Sequence, residues 1–152
     1  MVGIDLMHQQ RLFVRNLKQQ GILDNHFDQV LEIRTIDNPR FVLEVISMFL
    51  NDADNCVSEL NRLLNEAVVD YTQVVNYCHQ LRGSSASIGA RLVAVASREL
   101  RLATDDMDQH RCLVAFDKLK DEYQNLKNNF NIITQIERTI VANHTRRRNV
   151  RP

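Results

Sequence analysis

The chain has 152 residues with 19 basic and 19 acidic side chains, so its formal net charge is zero. Hydrophobic residues make up 44% of it while glycine and proline number only 4 and 2, a balance that favours helices in one compact domain over turn-rich architectures. No apolar run approaches a membrane span, the amino terminus lacks the basic-then-apolar pattern of a secretory signal, and Cys56, Cys78 and Cys112 are too widely spaced for a disulfide framework or a paired-cysteine zinc site, so a soluble intracellular protein with reduced core thiols is expected.

In chain order, a first helix is predicted near Leu6 to Gln20, with Leu6, Phe13 and Leu17 on one face and Gly21 ending it. A shorter one follows from about Asp24 to Ile33, its apolar positions Phe27, Val30 and Leu31. Asn38 offers a cap and Pro39 suits the first helical position of a long third helix through Val42, Val45, Phe49, Ala53, Cys56, Leu60 and Leu63. Asp70 is the expected cap of a fourth helix ending near Ile88 and Gly89. A fifth is predicted from about Arg91 to Thr104 with Leu92, Val95 and Leu102 as apolar positions, and Asp105 to Asp108 forms the turn after it. The last helix has the clearest pattern, because Phe116, Leu119, Tyr123, Leu126, Phe130, Ile133 and Ile140 keep a heptad-like step. Such a seam can pair two chains, but the other amphipathic helices can cover it, so a monomer is expected. The predicted fold is all-α: one domain over residues 1–152, with an antiparallel four-helix bundle over about 38–143 and two additional N-terminal helices packed on one side.

Residues 145–152 hold Arg146, Arg147, Arg148 and Arg151; without them the chain carries 15 basic against 19 acidic residues. The body is therefore mildly acidic, with a basic tail expected to be mobile. No aromatic residues interleave the arginines, so neither nucleic-acid nor membrane binding is predicted. The Asn143-His144-Thr145 glycosylation sequon has no meaning without export.

The most informative segment is His79-Gln80-Leu81-Arg82-Gly83-Ser84-Ser85-Ala86-Ser87-Ile88-Gly89-Ala90 in the fourth helix. Val74, Cys78, Leu81, Ser85 and Ile88 alternate steps of four and three and draw one stripe, and at about 100° per residue His79 projects roughly 140° from its centre. The imidazole should point outward, with Arg82 one turn on and Gly83 removing a side chain at i+4. A neutral imidazole is a nucleophile near neutral pH, and a guanidinium beside it suits the oxygens of a phosphoryl group. Most surface histidines only sit in water, but Gly83, Ser84, Ser85, Ser87 and Gly89 gather poor helix formers that a purely structural helix has little reason to tolerate.

This segment resembles the HQLKGSS-type signature of plant histidine-containing phosphotransfer proteins. Asn38 to Val42, the acidic Asn51 to Asp54 stretch and Lys118 to Leu126 agree with it, and the resemblance covers roughly residues 5–142. It implies that His79 accepts a phosphoryl group from the receiver domain of a hybrid sensor histidine kinase and passes it to the receiver of a response regulator. Arg82 replaces the family's lysine, keeping the charge but changing donor geometry, and Arg101 stands where similar proteins carry a second arginine. Cytokinin signalling, a cytoplasmic and nuclear location and Mg2+ supplied by the partner receiver are likewise implied by the resemblance, with no cofactor or metal held by the chain itself.

Val75, Asn76 and Ala86 are the sequence candidates for partner docking. No phosphate-binding loop and no acidic cluster spaced to hold magnesium accompany His79, so the chain reads as a passive carrier without catalytic machinery of its own. A Cys78–His79 catalytic pair would need one side chain to leave the buried stripe, and a bundle-core metal site would need a Glu-x-x-His spacing that is absent. The alternative reading is a helical adaptor that binds receiver domains without accepting phosphate.

Overall fold

The structure is a computed structural model that describes residues 2–34 and 38–150, with side chains for 5–34 and 38–145. The described residues form six helices: α1 (Val2–Gln19), α2 (Asn25–Ile33), α3 (Phe41–Leu64), α4 (Tyr71–Ile88), α5 (Arg91–Ala103) and α6 (Gln109–Val150), with a 3-10 turn at Thr104–Asp106. Helices α3 to α6 close a four-helix ring in which α3 touches α4 and α6, and α5 touches α4 and α6. The ring is antiparallel: Gln109 at the start of α6 donates to the carbonyl of Leu64 at the end of α3, and Tyr123 further along α6 reaches Leu50. α1 packs on α6, and α2 on α3 and α4. No helix of the described residues is long and apolar enough to cross a membrane.

All seven apolar positions of the α6 seam are buried, Leu119, Phe130 and Ile133 with no exposed surface. Phe130 stacks on Phe27 of α2 at 5.5 Å between centroids and meets Phe49 of α3 edge-on at 5.9 Å. This contact anchors α2 to the bundle. The seam also contains a residue its hydrophobic pattern leaves out. Glu137, in register between Ile133 and Ile140, has no exposed surface. Its Oε1 accepts from Gln10 Nε2 of α1 at 2.9 Å and pairs with the Arg34 guanidinium at the end of α2, while Oε2 has no partner among the described residues. A carboxylate this deep is tolerated only because these partners, both from the N-terminal helices, replace its water.

Several sequence expectations are corrected. Asn38 is not the cap of α3 and Pro39 is not its first residue; they form a turn with Arg40, and the helix starts at Phe41 without a side-chain cap. In α5, Val95 and Leu102 are 41% and 46% exposed, and the core face is Val93, Ala96, Ser97 and Leu100. Small Ala96 and Ser97 are what let α5 lie against its neighbours, and the Ser97 hydroxyl is satisfied by the Val93 carbonyl at 2.8 Å. The first helix starts at Val2 rather than Leu6. Of the expected basic tail, residues 145–150 are helical and continue α6; the side chains of Arg146, Arg147 and Arg148, and Arg151 altogether, lie outside the described residues.

Candidate functional site

Two caps fix α4. Asp70 accepts from the Gln73 N–H at 3.2 Å, as its position before the apolar stripe predicts. At the other end Gly89 takes a left-handed conformation (φ 86°) and its carbonyl accepts from the Asp24 N–H at 2.9 Å, joining the end of α4 to the cap of α2. Between them Val74, Cys78, Leu81, Ser85 and Ile88 face the core, and His79 stands midway along the helix, exposed and with no hydrogen bond or ion pair among the described residues.

Around the imidazole, Arg82 is exposed and has no carboxylate partner among the described residues, so its fork is available to an incoming group. Arg101 of α5 is half-buried, 3.9 Å from Asp105, and close enough to α4 to act on the thiol of Cys78. That thiol is pushed up to about 12, first by burial and then by Cys112 and Cys56, with Arg101 pulling the other way. Burial and then Asp52 raise Cys56 to about 11. Neither thiol can supply a thiolate near neutral pH, which removes a Cys78–His79 nucleophilic pair.

The poor helix formers in this stretch divide sharply. Ser84 and Ser87 bond back to the carbonyls of Leu81 and Gly83 at 3.2 and 3.0 Å, Ser85 is fully buried in the helix contact, and Gly89 is needed for its positive φ. Gly89 and small Ser85, whose buried hydroxyl has no partner among the described residues, serve the packing, while Ser84 and Ser87 satisfy their hydroxyls on their own helix. Gly83 serves neither purpose: its backbone is ordinary helix, it is exposed, and an added Cβ would meet nothing within 4 Å.

The flank of α4 that faces α3 carries a feature sequence reasoning missed. Gln80, the residue after His79, donates to Asp52 of α3 at 2.7 Å, and beyond this bond an apolar cleft of about 270 Å3 opens between α2, α3 and α4. Val30, Val45, Phe49 and Ile88 line it, with Met48, 72% exposed, as one wall. The exposure of Met48 was its only signal, and exposure is not visible in sequence. Of the sequence candidates for docking, Asn76 and Ala86 are exposed and Val75 is half-buried, and none of them lines this cleft. No group of three or more metal-ligating side chains occurs among the described residues.

The fold and the site define a helical bundle that presents an exposed histidine at mid-helix, without a partner among the described residues. Comparison with known proteins carries this further. The Hpt domain family matches residues 44–129. Histidine-containing phosphotransfer protein 1 of Oryza sativa subsp. japonica is 34% identical over 142 residues, covering 93% of this chain and 97% of the relative. A crystal structure of a histidine-containing phosphotransfer protein from rice superimposes with a TM-score of 0.85 at 33% identity, over 92% of this chain and 99% of that one. Pseudo histidine-containing phosphotransfer protein 6 of Arabidopsis thaliana is 32% identical over 123 residues, 80% of each chain. The chain belongs to the Hpt family of histidine-containing phosphotransfer proteins.

Proposed function

We propose that this protein is a phosphorelay carrier in which His79 accepts a phosphoryl group from the receiver domain of a hybrid sensor kinase and hands it to response-regulator receivers, within cytokinin signalling. The observation that carries the reading is the exposed, unpaired imidazole beside a glycine that the fold does not require. A ring nitrogen attacks the phosphorus of the receiver's aspartyl phosphate in line; the N–P bond forms as the acyl phosphate P–O bond breaks and the carboxylate leaves. The partner supplies the Mg2+ that balances charge on the transferring group, while Arg82, with Arg101 on the neighbouring helix, takes its peripheral oxygens. Transfer to a second receiver reverses these steps.

Docking falls on the open face of α4 together with the apolar cleft. Ser87 lies eight residues beyond His79, about 12 Å along the helix at 1.5 Å per residue, so a receiver that seats an apolar side chain there must hold its phosphoryl group that far away. A monomer working in cytoplasm and nucleus goes with this reading. The competing reading, an adaptor that binds receivers without relaying, draws on relatives named pseudo histidine-containing phosphotransfer proteins.

The test is label transfer from a phosphorylated receiver domain to the wild-type protein and to His79→Gln. Acid-labile label on the wild type and none on the variant is expected. Receiver binding by both proteins with label on neither would make the adaptor the correct account.

A further inference from the structure

We propose that the groove between α3 and α6 is a binding site for a small amphipathic monocarboxylate. It is a cavity of about 580 Å3, within the size range of small-molecule sites, and it lies on the α6 side of α3, apart from the open face of α4. Leu43 and Ile46, 7% and 1% exposed, close its bottom, and Met48, which also walls the cleft between α2, α3 and α4, and half-buried Leu50 supply its accessible apolar surface. Because α3 and α6 run antiparallel, Arg40 at the head of α3 and Arg138 late in α6 line the same end. Neither guanidinium has a hydrogen bond or ion pair among the described residues, whereas the cation toward the other end, Lys127, is held by Asp54 at 3.1 Å. Asp54 is fixed in turn by the Tyr123 hydroxyl at 2.5 Å, so that end is built and neutral.

Charge selects the ligand class. Lys127 and Asp54 cancel, which leaves Arg40 and Arg138 against Glu44, a surplus of one positive charge on the lining. The start of α3, which has no side-chain cap, adds partial positive charge of the same sign. A monoanion neutralises the surplus, while a phosphate dianion would leave one negative charge facing Glu44. A carboxylate fits the guanidinium forks, and the accessible apolar surface of Met48 and Leu50 asks for an alkyl or aryl body behind it. This site does not depend on phosphorylation of His79.

The probe is 4-phenylbutyrate, titrated into the 15N-labelled full chain, with 4-phenylbutanol as its neutral counterpart. Saturable shifts at the amides of Leu43, Ser47 and Asn131 are expected for the acid and not for the alcohol. Arg40→Gln with Arg138→Gln should weaken the acid about tenfold or more, and Glu44→Gln should strengthen it and admit phenyl phosphate. All three side chains are exposed, so the variants should keep the wild-type helical circular dichroism, which is checked alongside. Equal binding of acid and alcohol, unsaturable shifts at millimolar probe, or a double arginine variant that binds as the wild type does would each overturn the proposal.

Discussion

Replacing Gly83 by alanine separates what the fold needs from what a partner needs. In a helix interior glycine is about 0.8–1.0 kcal/mol less favourable than alanine, because it loses more backbone freedom on folding. The usual reasons for keeping it are absent, since Gly83 has no positive φ and an added Cβ would meet nothing within 4 Å. Gly83→Ala should therefore recover nearly the whole difference, a stabilisation of about 1 kcal/mol and a rise in Tm of about 2–4 °C for a domain of this size. The new methyl stands one turn from His79 on the outer face, about 5–6 Å away between Cβ atoms, where a docked receiver must close. Crowding a packed contact costs about 1–3 kcal/mol, so receiver-to-His79 transfer should slow by about fivefold to somewhat over a hundredfold. Urea or thermal unfolding gives the first quantity and single-turnover label transfer the second. A drop in Tm would refute the open-space reading; a higher Tm with unchanged transfer would refute the partner-clearance reading.

Gly89→Ala should do the opposite, because the left-handed backbone costs about 1–2 kcal/mol for any L-residue and the Cβ would sit 2.6 Å from the Phe27 nitrogen and 2.8 Å from Asp24 Oδ1. Loss of more than about 2 kcal/mol in urea unfolding, with amide shifts concentrated in α2, is expected, and near-wild-type stability would contradict it. Glu137→Ala should cost about 3–5 kcal/mol by leaving the mostly buried Arg34 without its counter-charge and Gln10 Nε2 without its acceptor, with only the Arg34 Nη1–Gln10 Oε1 bond at 3.3 Å remaining. The double replacement Glu137→Met with Arg34→Met should cost less than the sum of the single ones, and strict additivity would show that the pair is not coupled. Burial raises the Asp54 carboxyl, but bonds from Tyr123 and Lys127 outweigh it and hold the group below its usual 3.8. A depressed folded value means the contribution is complete above the unfolded pKa and lost as pH falls through the folded one. The stability gap between wild type and Asp54→Asn should thus be widest near neutrality and shrink below about pH 4, and a gap that grows on acidification would reverse the sign.

Much of α4 is legible without a structure. Asp70 before an apolar stripe and Gly89 after it are local signals with local causes, and the outward direction of His79 follows from its angle to Cys78 and Leu81 once the helix is granted. The seam of α6 is equally plain because seven large apolar side chains keep one period. In α5 the same logic half fails: Leu92 packs against the core, but Val95 and Leu102 are exposed and the buried face uses Val93, Ala96, Ser97 and Leu100. Small side chains give a weak hydrophobic signal, and helix contact selected them for closeness rather than for apolar area.

Chain-local physics therefore determined that this protein is a set of amphipathic helices with a histidine turned to solvent, since periodicity and capping act over a few residues. Tertiary structure decided what those helices enclose. Glu137 can occupy a core seam only because Gln10 and Arg34, separated from it by 127 and 103 positions, arrive to share its charge. The cleft beside Met48 exists only where α2, α3 and α4 meet. Burial, pairing and exposed apolar surface are properties of the space between elements, and no spacing within one helix encodes them.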